Sequence, residues 1–126
     1  MPSRSAAHTA LCEELKLWAN SRKGDVRLWQ VHQGHGRDTM GHHFKQGLIN
    51  GASDFIGIFH ETGIYPTRRR RCRGRFLAFE VKTGKANPSP EQQAFLELVN
   101  AYGGIGRVIR SIADADHALE EARRLP

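Results

Sequence analysis

The sequence predicts an α/β fold, with a mixed β-sheet of four or more strands flanked by helices. An apolar stripe at helical spacing opens the chain, and three later segments carry the alternating or continuous apolar runs of strands. Two further segments show helix-start and helix-dipole signals, which gives the order α-β-β-β-α-β-α. With 126 residues, no repeat and no linker, the chain is expected to form a single domain over 1–126.

The first helix is predicted over residues 5–20, with Ser5 as its N-cap. Three apolar residues recur at i, i+4 and i+7 and form one stripe on this helix: Leu11, Leu15 and Trp18. At about 100° per residue, His8 and Glu14 flank the stripe on opposite edges.

Three strands are predicted in the middle of the chain. Residues 26–32 alternate and are rich in β-formers, whereas residues 54–60 form an apolar run that suits cover on both faces. Residues 75–83 form the third strand. The glycine-rich, polar stretch 33–41 predicts a loop, and residues 42–45 a short strand.

A helix, a strand and a helix complete the chain. Ser89 as N-cap, Pro90 at the first helical position and Gln92 at the third fit the rules for a helix start. A pair of glycines ends this helix. Residues 107–110 predict a short strand, and residues 113–124 a helix with acidic residues early and arginines late.

Composition restricts the class of protein. The chain has no apolar run long enough to span a membrane and no apolar leader typical of a signal peptide. Its two cysteines, Cys12 and Cys72, suit neither a disulfide framework nor a zinc quartet, so we expect reduced thiols. These features predict a cytoplasmic, intracellular protein without a membrane partner.

The charge balance points to an anionic partner. Nineteen basic and thirteen acidic side chains give a net charge of +6. A surplus of this size on a small domain is typical of nucleic-acid binding, although it also serves solubility.

The informative chemical pattern is an acid that opens one strand and an acid-x-Lys on the next. Glu80 and Lys82 are two residues apart and therefore share one face of the sheet. A hairpin between the two strands would bring Asp54 beside Glu80. An isolated acid-x-Lys on a strand is ordinarily a solvated ion pair. Its place at the end of an apolar strand, with a second strand opening on Asp54, favours a functional site.

Two neighbouring carboxylates repel each other unless a cation lies between them. Oxygen ligands with open positions suit Mg²⁺ or Mn²⁺. A lysine beside such an ion can position or deprotonate a water, or stabilise charge on a scissile phosphate. Asp54, Glu80 and Lys82 are therefore sufficient for phosphodiester hydrolysis.

The chain resembles the VRR-NUC family of the PD-(D/E)xK nuclease superfamily, especially its short stand-alone members from phages and bacteria. The resemblance depends on five segments in family order: GASDFIG at 51–57, GRFLAFEVKTG at 74–84, PSPEQQAF at 88–95, GG at 103–104 and VIRS at 108–111. Together they cover most of the chain. The resemblance implies a restriction-endonuclease-like core, and it is compatible with a phage-encoded protein acting in a bacterial host.

The resemblance also implies roles for individual residues. Asp54 and Glu80 bind the metal, helped by the carbonyl of Val81. Lys82 is the catalytic lysine, and Gln92 matches a glutamine that faces the site from the following helix. The implied activity is metal-dependent endonuclease cleavage of DNA, plausible substrates being branched structures such as Holliday junctions, and the implied assembly is a homodimer.

Two departures from the family pattern stand out. Ser53 occupies the position where the superfamily name has proline. Many relatives carry a glutamate on the first helix that reaches the metal through water. Here that position falls on His8, and Glu14 on the other edge of the apolar stripe is the competing candidate. Both remain candidate metal-site residues.

An arginine-rich segment joins the two strands that carry the acids. Its members are expected to contact DNA phosphates near the substrate: Arg68, Arg69, Arg70, Arg71, Arg73 and Arg75. Two other functions remain open: a DNA-binding module with a decayed site, and a nuclease acting on RNA or with sequence preference. The chain shows no appended recognition domain, which favours recognition of DNA shape.

Overall fold

The computed structural model describes residues 5–32, 34–60 and 74–124, with the backbone alone for 34–36 and 44–46. Three helices are present: α1 Ala6–Ser21, α2 Pro90–Ala101 and α3 Ile112–Arg124. The strands are β1 Val26–Gln30, β2 Gly34–Arg37, β3 His43–Gln46, β4 Phe55–His60, β5 Gly74–Val81 and β6 Ile105–Ile109.

The main sheet has four strands in the order β1-β4-β5-β6. The pairs β1–β4 and β4–β5 are antiparallel, whereas β5–β6 is parallel, so the sheet is mixed. Helices flank it, which confirms the predicted α/β class. No helix within the described ranges is both long enough and apolar enough to cross a membrane.

One face of the sheet carries the main core. Helices α1 and α3 pack there, and the predicted apolar stripe of α1 is buried with side chains of β4 and β5. The largest of these strand residues are fully buried: Phe55, Phe59, Leu77 and Phe79. Trp18 packs against Phe79 with ring centroids 6.2 Å apart. This packing fixes the position of α1 relative to the strands.

Helix α2 covers only part of the opposite face. It packs against β5 and β6, where Ala78, Leu96 and Val99 form a smaller cluster. On β4 buried residues alternate with more accessible ones, and Ile58 is 47% exposed. The expectation that β4 is covered on both faces is therefore wrong, because α2 lies over its neighbours.

The predicted loop at 33–41 is also wrong in part, because β2 lies within it and pairs with β3. The turn between them is closed by Asp38, whose carboxylate accepts the backbone N–H groups of Met40 and His42. Gly41 has φ +82°, which suits glycine. Glycine-rich strands carry little side-chain signal, so periodicity missed this hairpin.

Helix starts follow the sequence closely. The Ser5 side chain accepts the N–H of His8, and Ser89 and Gln92 form the capping box. Strand β6 begins at Ile105, two residues before the predicted start, where it pairs with Leu77 of β5.

Candidate active site

The hairpin register brings the two predicted carboxylates together. In the antiparallel β4–β5 pair, Phe55 lies opposite Phe79. Asp54 immediately precedes β4, so the same register places it opposite Glu80. The predicted juxtaposition of these two acids is confirmed, at the end of the sheet where β4 begins and β5 ends.

The residues that precede Asp54 fix the position of its backbone. Gly51 has φ +86°, and a Cβ there would come within 2.6 Å of the Glu91 backbone. Only glycine allows this close contact with the start of α2. Ser53 is buried and donates its hydroxyl to the Phe55 carbonyl at 2.7 Å. These contacts fix the backbone that delivers Asp54.

Contacts with two different elements orient the Asp54 side chain. It is 7% exposed, and its Oδ2 accepts the backbone N–H of Val81 at 2.8 Å. The Nε2 of His8 lies 3.5 Å from the same oxygen. The side chain is therefore oriented both by the neighbouring strand and by α1.

The buried carboxylate of Glu80 has a hydrogen-bond partner on only part of its surface. It is 3% exposed, and its Oε2 has no hydrogen-bond partner. Burial, reinforced by the negative charge of Asp54, raises the pKa of Glu80 to about 7, although Lys82 opposes the shift. The Lys82 Nζ lies 3.5 Å from Glu80 Oε1, as expected for side chains on one face. Despite this contact, Glu80 Oε2 has no hydrogen-bond partner.

A divalent cation fits this donor set. The unpartnered Glu80 Oε2 and the Asp54 carboxylate supply hard oxygen donors of the kind that Mg²⁺ and Mn²⁺ prefer. Within the described part of the chain, no group of three or more His, Cys, Asp or Glu side chains is arranged to hold a metal. Mg²⁺ often uses one or two protein carboxylates and completes its shell with water and phosphate. Two carboxylates are therefore enough for such an ion.

The two candidates on α1 are placed differently. His8 reaches Asp54, and its Nδ1 lies 3.7 Å from the Sγ of Cys12. Glu14 is exposed and makes no hydrogen bond or ion pair with any described residue. The structure thus brings His8, and not Glu14, to the pair of acids.

Gln92 and Val81 make contacts that differ from their implied roles. The Gln92 Oε1 accepts the Ser89 N–H at 2.8 Å, and among the described residues Gln92 makes no hydrogen bond to Asp54, Glu80 or Lys82. Val81 contributes its N–H to Asp54. The catalytic role of Gln92 and the metal-binding role of the Val81 carbonyl stay predictions.

The arginine-rich segment lies mostly outside the described residues, which applies to its members Arg68, Arg69, Arg70, Arg71 and Arg73. Arg75 is described. Its Nε donates to the Gly103 carbonyl at 3.0 Å, and its Nη1 to the Ala122 carbonyl at 2.9 Å. This guanidinium therefore links β5 to the ends of α2 and α3, and contact with DNA stays a prediction.

Two residues near the site were not singled out as functional from the sequence. Cys12 follows His8 by one helical turn, a spacing that could have indicated the contact. Arg110 directly follows β6, and its guanidinium donates to the Gly84 carbonyl at 3.4 Å and to Asn87 Oδ1 at 3.2 Å. Arg110 thereby holds the loop that follows Lys82.

Comparisons with models of known families, with characterised proteins and with solved structures find no significant match.

Proposed function

We propose that this chain is a divalent-metal-dependent DNA endonuclease with a restriction-endonuclease-like core of the VRR-NUC type. The observation that carries the proposal is the buried pair Asp54 and Glu80, which meets at one end of the sheet with Lys82 beside it. The raised pKa of Glu80, beside the carboxylate of Asp54, supports a site that would favour a bound cation.

The chemistry of the proposed reaction follows from these side chains. Asp54 and Glu80 would hold Mg²⁺ or Mn²⁺, which would supply Lewis-acid activation of the phosphate and of a water nucleophile. Binding a cation favours the ionised form of Glu80, so ion binding releases a proton near neutral pH. Lys82, tethered near Glu80, would orient or deprotonate the attacking water or stabilise charge on the phosphate.

DNA is the proposed substrate. The net charge of +6 and the arginine-rich segment between β4 and β5 favour a polyanion. Branched DNA, such as a four-way junction, is the proposed form of this substrate. A homodimer would supply the two active sites that symmetric cutting of two strands needs. The proposed place of action is the cytoplasm.

A cleavage assay tests the proposal. Purified protein is incubated with a four-way junction, a flap, duplex and single-stranded DNA, each with Mg²⁺, Mn²⁺ or a chelator. We expect cutting of at least one structure that depends on the ion and is lost in Asp54→Asn. Lys16→Ala, which changes an exposed lysine on α1, is the matched control for Lys82→Ala. Intact substrates under every condition would contradict the proposal.

A separate measurement tests the DNA contact of the arginines. The double variant Arg69→Ala/Arg70→Ala should weaken binding uniformly and reduce the slope of log K against log salt by about two. An unchanged slope would contradict the proposed contact between these arginines and DNA phosphates.

A DNA-binding module with a decayed site is the second candidate. It is favoured by His8 on α1, where many members of the family that the sequence resembles carry a glutamate. Calorimetric titration with Mn²⁺ discriminates between the two, because a decayed site should bind the ion poorly. Strong DNA binding without ion binding or cleavage would favour this second function.

A further inference from the structure

The contacts of His8 extend from the core to the candidate active site. Cys12 is 2% exposed, and its Sγ lies 3.7 Å from His8 Nδ1. The opposite ring nitrogen, Nε2, lies 3.5 Å from Asp54 Oδ2. Since Cys12 packs in the main core and Asp54 lies at the end of the sheet, one imidazole ring bridges the two.

We propose that Cys12 and His8 form a hydrogen-bond relay that orients Asp54, so that His8 is a positioning residue and not a metal ligand. The inference rests on the proposed function, because it assigns His8 a task toward the same cation site.

Hydrogen-bond complementarity decides the tautomer. A neutral imidazole has one N–H donor and one acceptor nitrogen. If the Cys12 thiol donates to Nδ1, the proton stays on Nε2 and points at the Asp54 carboxylate. The opposite tautomer would direct a nitrogen lone pair at carboxylate oxygen, which is repulsive without a cation between them. The network therefore favours the Nε2–H form.

The relay gives Asp54 Oδ2 two donors. One is the Val81 N–H, which donates at 2.8 Å from the strand. The other is the proposed donor of the relay, His8 Nε2 on α1, which lies 3.5 Å away as an ion-pair contact. Two donors from different elements fix the rotation of the carboxylate opposite Glu80 more firmly than one. Groups that hold a ligating side chain typically change metal affinity or activity by about 10- to 100-fold when they are removed.

A ligand role for His8 makes a different demand. A histidine nitrogen that binds a metal must be deprotonated. Ligation through Nε2 would therefore move the ring proton to Nδ1, against Cys12. The position of this proton separates the two roles without any measurement of activity.

The first experiment is long-range ¹H–¹⁵N NMR on the full chain, with the His8 signals assigned by their loss in His8→Gln. We expect the Nε2–H tautomer in the metal-free protein and in saturating Mg²⁺. The Nδ1–H tautomer in either state would overturn the relay.

The second experiment measures the Mn²⁺ dissociation constant by calorimetry. We expect His8→Ala to weaken binding by about 10- to 100-fold. Cys12→Ala should give a smaller loss, and Cys12→Ser should stay close to wild type because its hydroxyl still donates to Nδ1. Thermal melting shows that each variant is folded. A wild-type constant in His8→Ala, or equal losses in both Cys12 variants, would overturn the relay.

The two proposals fail in distinguishable ways. If the wild-type chain binds no divalent ion, the proposed function fails, and the tautomer of the metal-free protein still decides the relay. If the ion binds and the tautomer is Nδ1–H, the relay fails and the proposed function stands.

Discussion

Two buried aspartates of this protein have opposite electrostatic surroundings. Asp25, at the start of β1, receives Arg22 Nη2 at 3.0 Å and Arg123 Nη2 at 2.6 Å. Asp54 instead lies opposite a second carboxylate, that of Glu80. The nearby Lys82 has its Nζ 3.5 Å from Glu80 Oε1. Both aspartates are less than 10% exposed.

The difference separates a structural acid from a candidate functional one. At Asp25 the charges are compensated, and hydrogen bonding to Asp25 raises the pKa of Arg22. At Glu80 burial and the charge of Asp54 raise the pKa of the acid itself, and one oxygen stays unpartnered. Burial alone therefore does not indicate a site, whereas a buried carboxylate whose pKa is raised beside a second carboxylate does.

The largest expected effect is on catalysis, at the lysine beside the two carboxylates Asp54 and Glu80. Lys82→Ala should reduce cleavage by about 10²- to 10⁴-fold, because it removes the group that acts on water or phosphate. Because Lys82 lies beside a buried carboxylate and opposes the rise in its pKa, its removal should also lower stability, and a thermal melt shows whether the variant is folded. Initial rates are compared with those of Lys16→Ala. Equal rates in the two variants would contradict a role for Lys82.

Substitution at the charge-compensated site around Asp25 should change the stability of the protein. Asp25→Ala leaves Arg22 and Arg123 without their shared carboxylate, and we expect the free energy of unfolding to fall by about 3 kcal/mol. Urea denaturation measures the change, and Asp54→Ala is the matched variant. Because Asp54→Ala relieves repulsion with Glu80, it should cost clearly less. A larger fall in the free energy of unfolding for Asp54→Ala than for Asp25→Ala would contradict this expectation.

The pH dependence of stability distinguishes the sites as well. Burial and the charge of Asp54 raise the pKa of Glu80 in the folded state to about 7, above its ordinary value of 4.5, so its protonated form stabilises the fold. This contribution is fully present below pH 4.5 and is lost as pH rises through 7. At pH 8 and without metal, Glu80→Gln should therefore be more stable than wild type by about 2–3 kcal/mol. Thermal melts of both proteins from pH 4 to pH 9 test this. If the melting temperatures of wild type and Glu80→Gln changed in parallel with pH, the prediction would be contradicted.

The smallest expected effect is at Glu14. Its side chain is exposed and contacts no described residue through a hydrogen bond or ion pair. Glu14→Gln should change the cleavage rate and the Mn²⁺ dissociation constant by less than about twofold, in line with surface substitutions. A loss as large as that of His8→Ala would restore Glu14 as the partner of the site.

Much of the candidate site was accessible from local pattern. The two-residue period of a strand places Glu80 and Lys82 on one face, and a hairpin between two apolar strands brings Asp54 to them. Cap residues such as Ser5 and Ser89 predicted where helices begin, since the N–H groups they accept lie only three residues away. Each of these inferences needs only neighbours in sequence or one turn.

The remaining features depend on contacts between distant segments. His8 and Glu14 lie on opposite edges of the same apolar stripe, and only the packing of α1 on the sheet decides which one meets Asp54. The partial cover of β4 follows from where α2 lies, which no periodicity in β4 encodes. The raised pKa of Glu80 requires burial and the charge of Asp54, so it too is a property of the assembled structure.

The sequence by itself thus determined the α/β class, the helix starts and the pairing of the two acids with a lysine. The tertiary structure decided that His8 reaches the site, that Gln92 closes a capping box and that Asp25 is compensated while Glu80 is not. The physical reason is the distance along the chain over which each effect acts. Periodicity and capping act within one element, whereas desolvation and charge compensation depend on which elements meet.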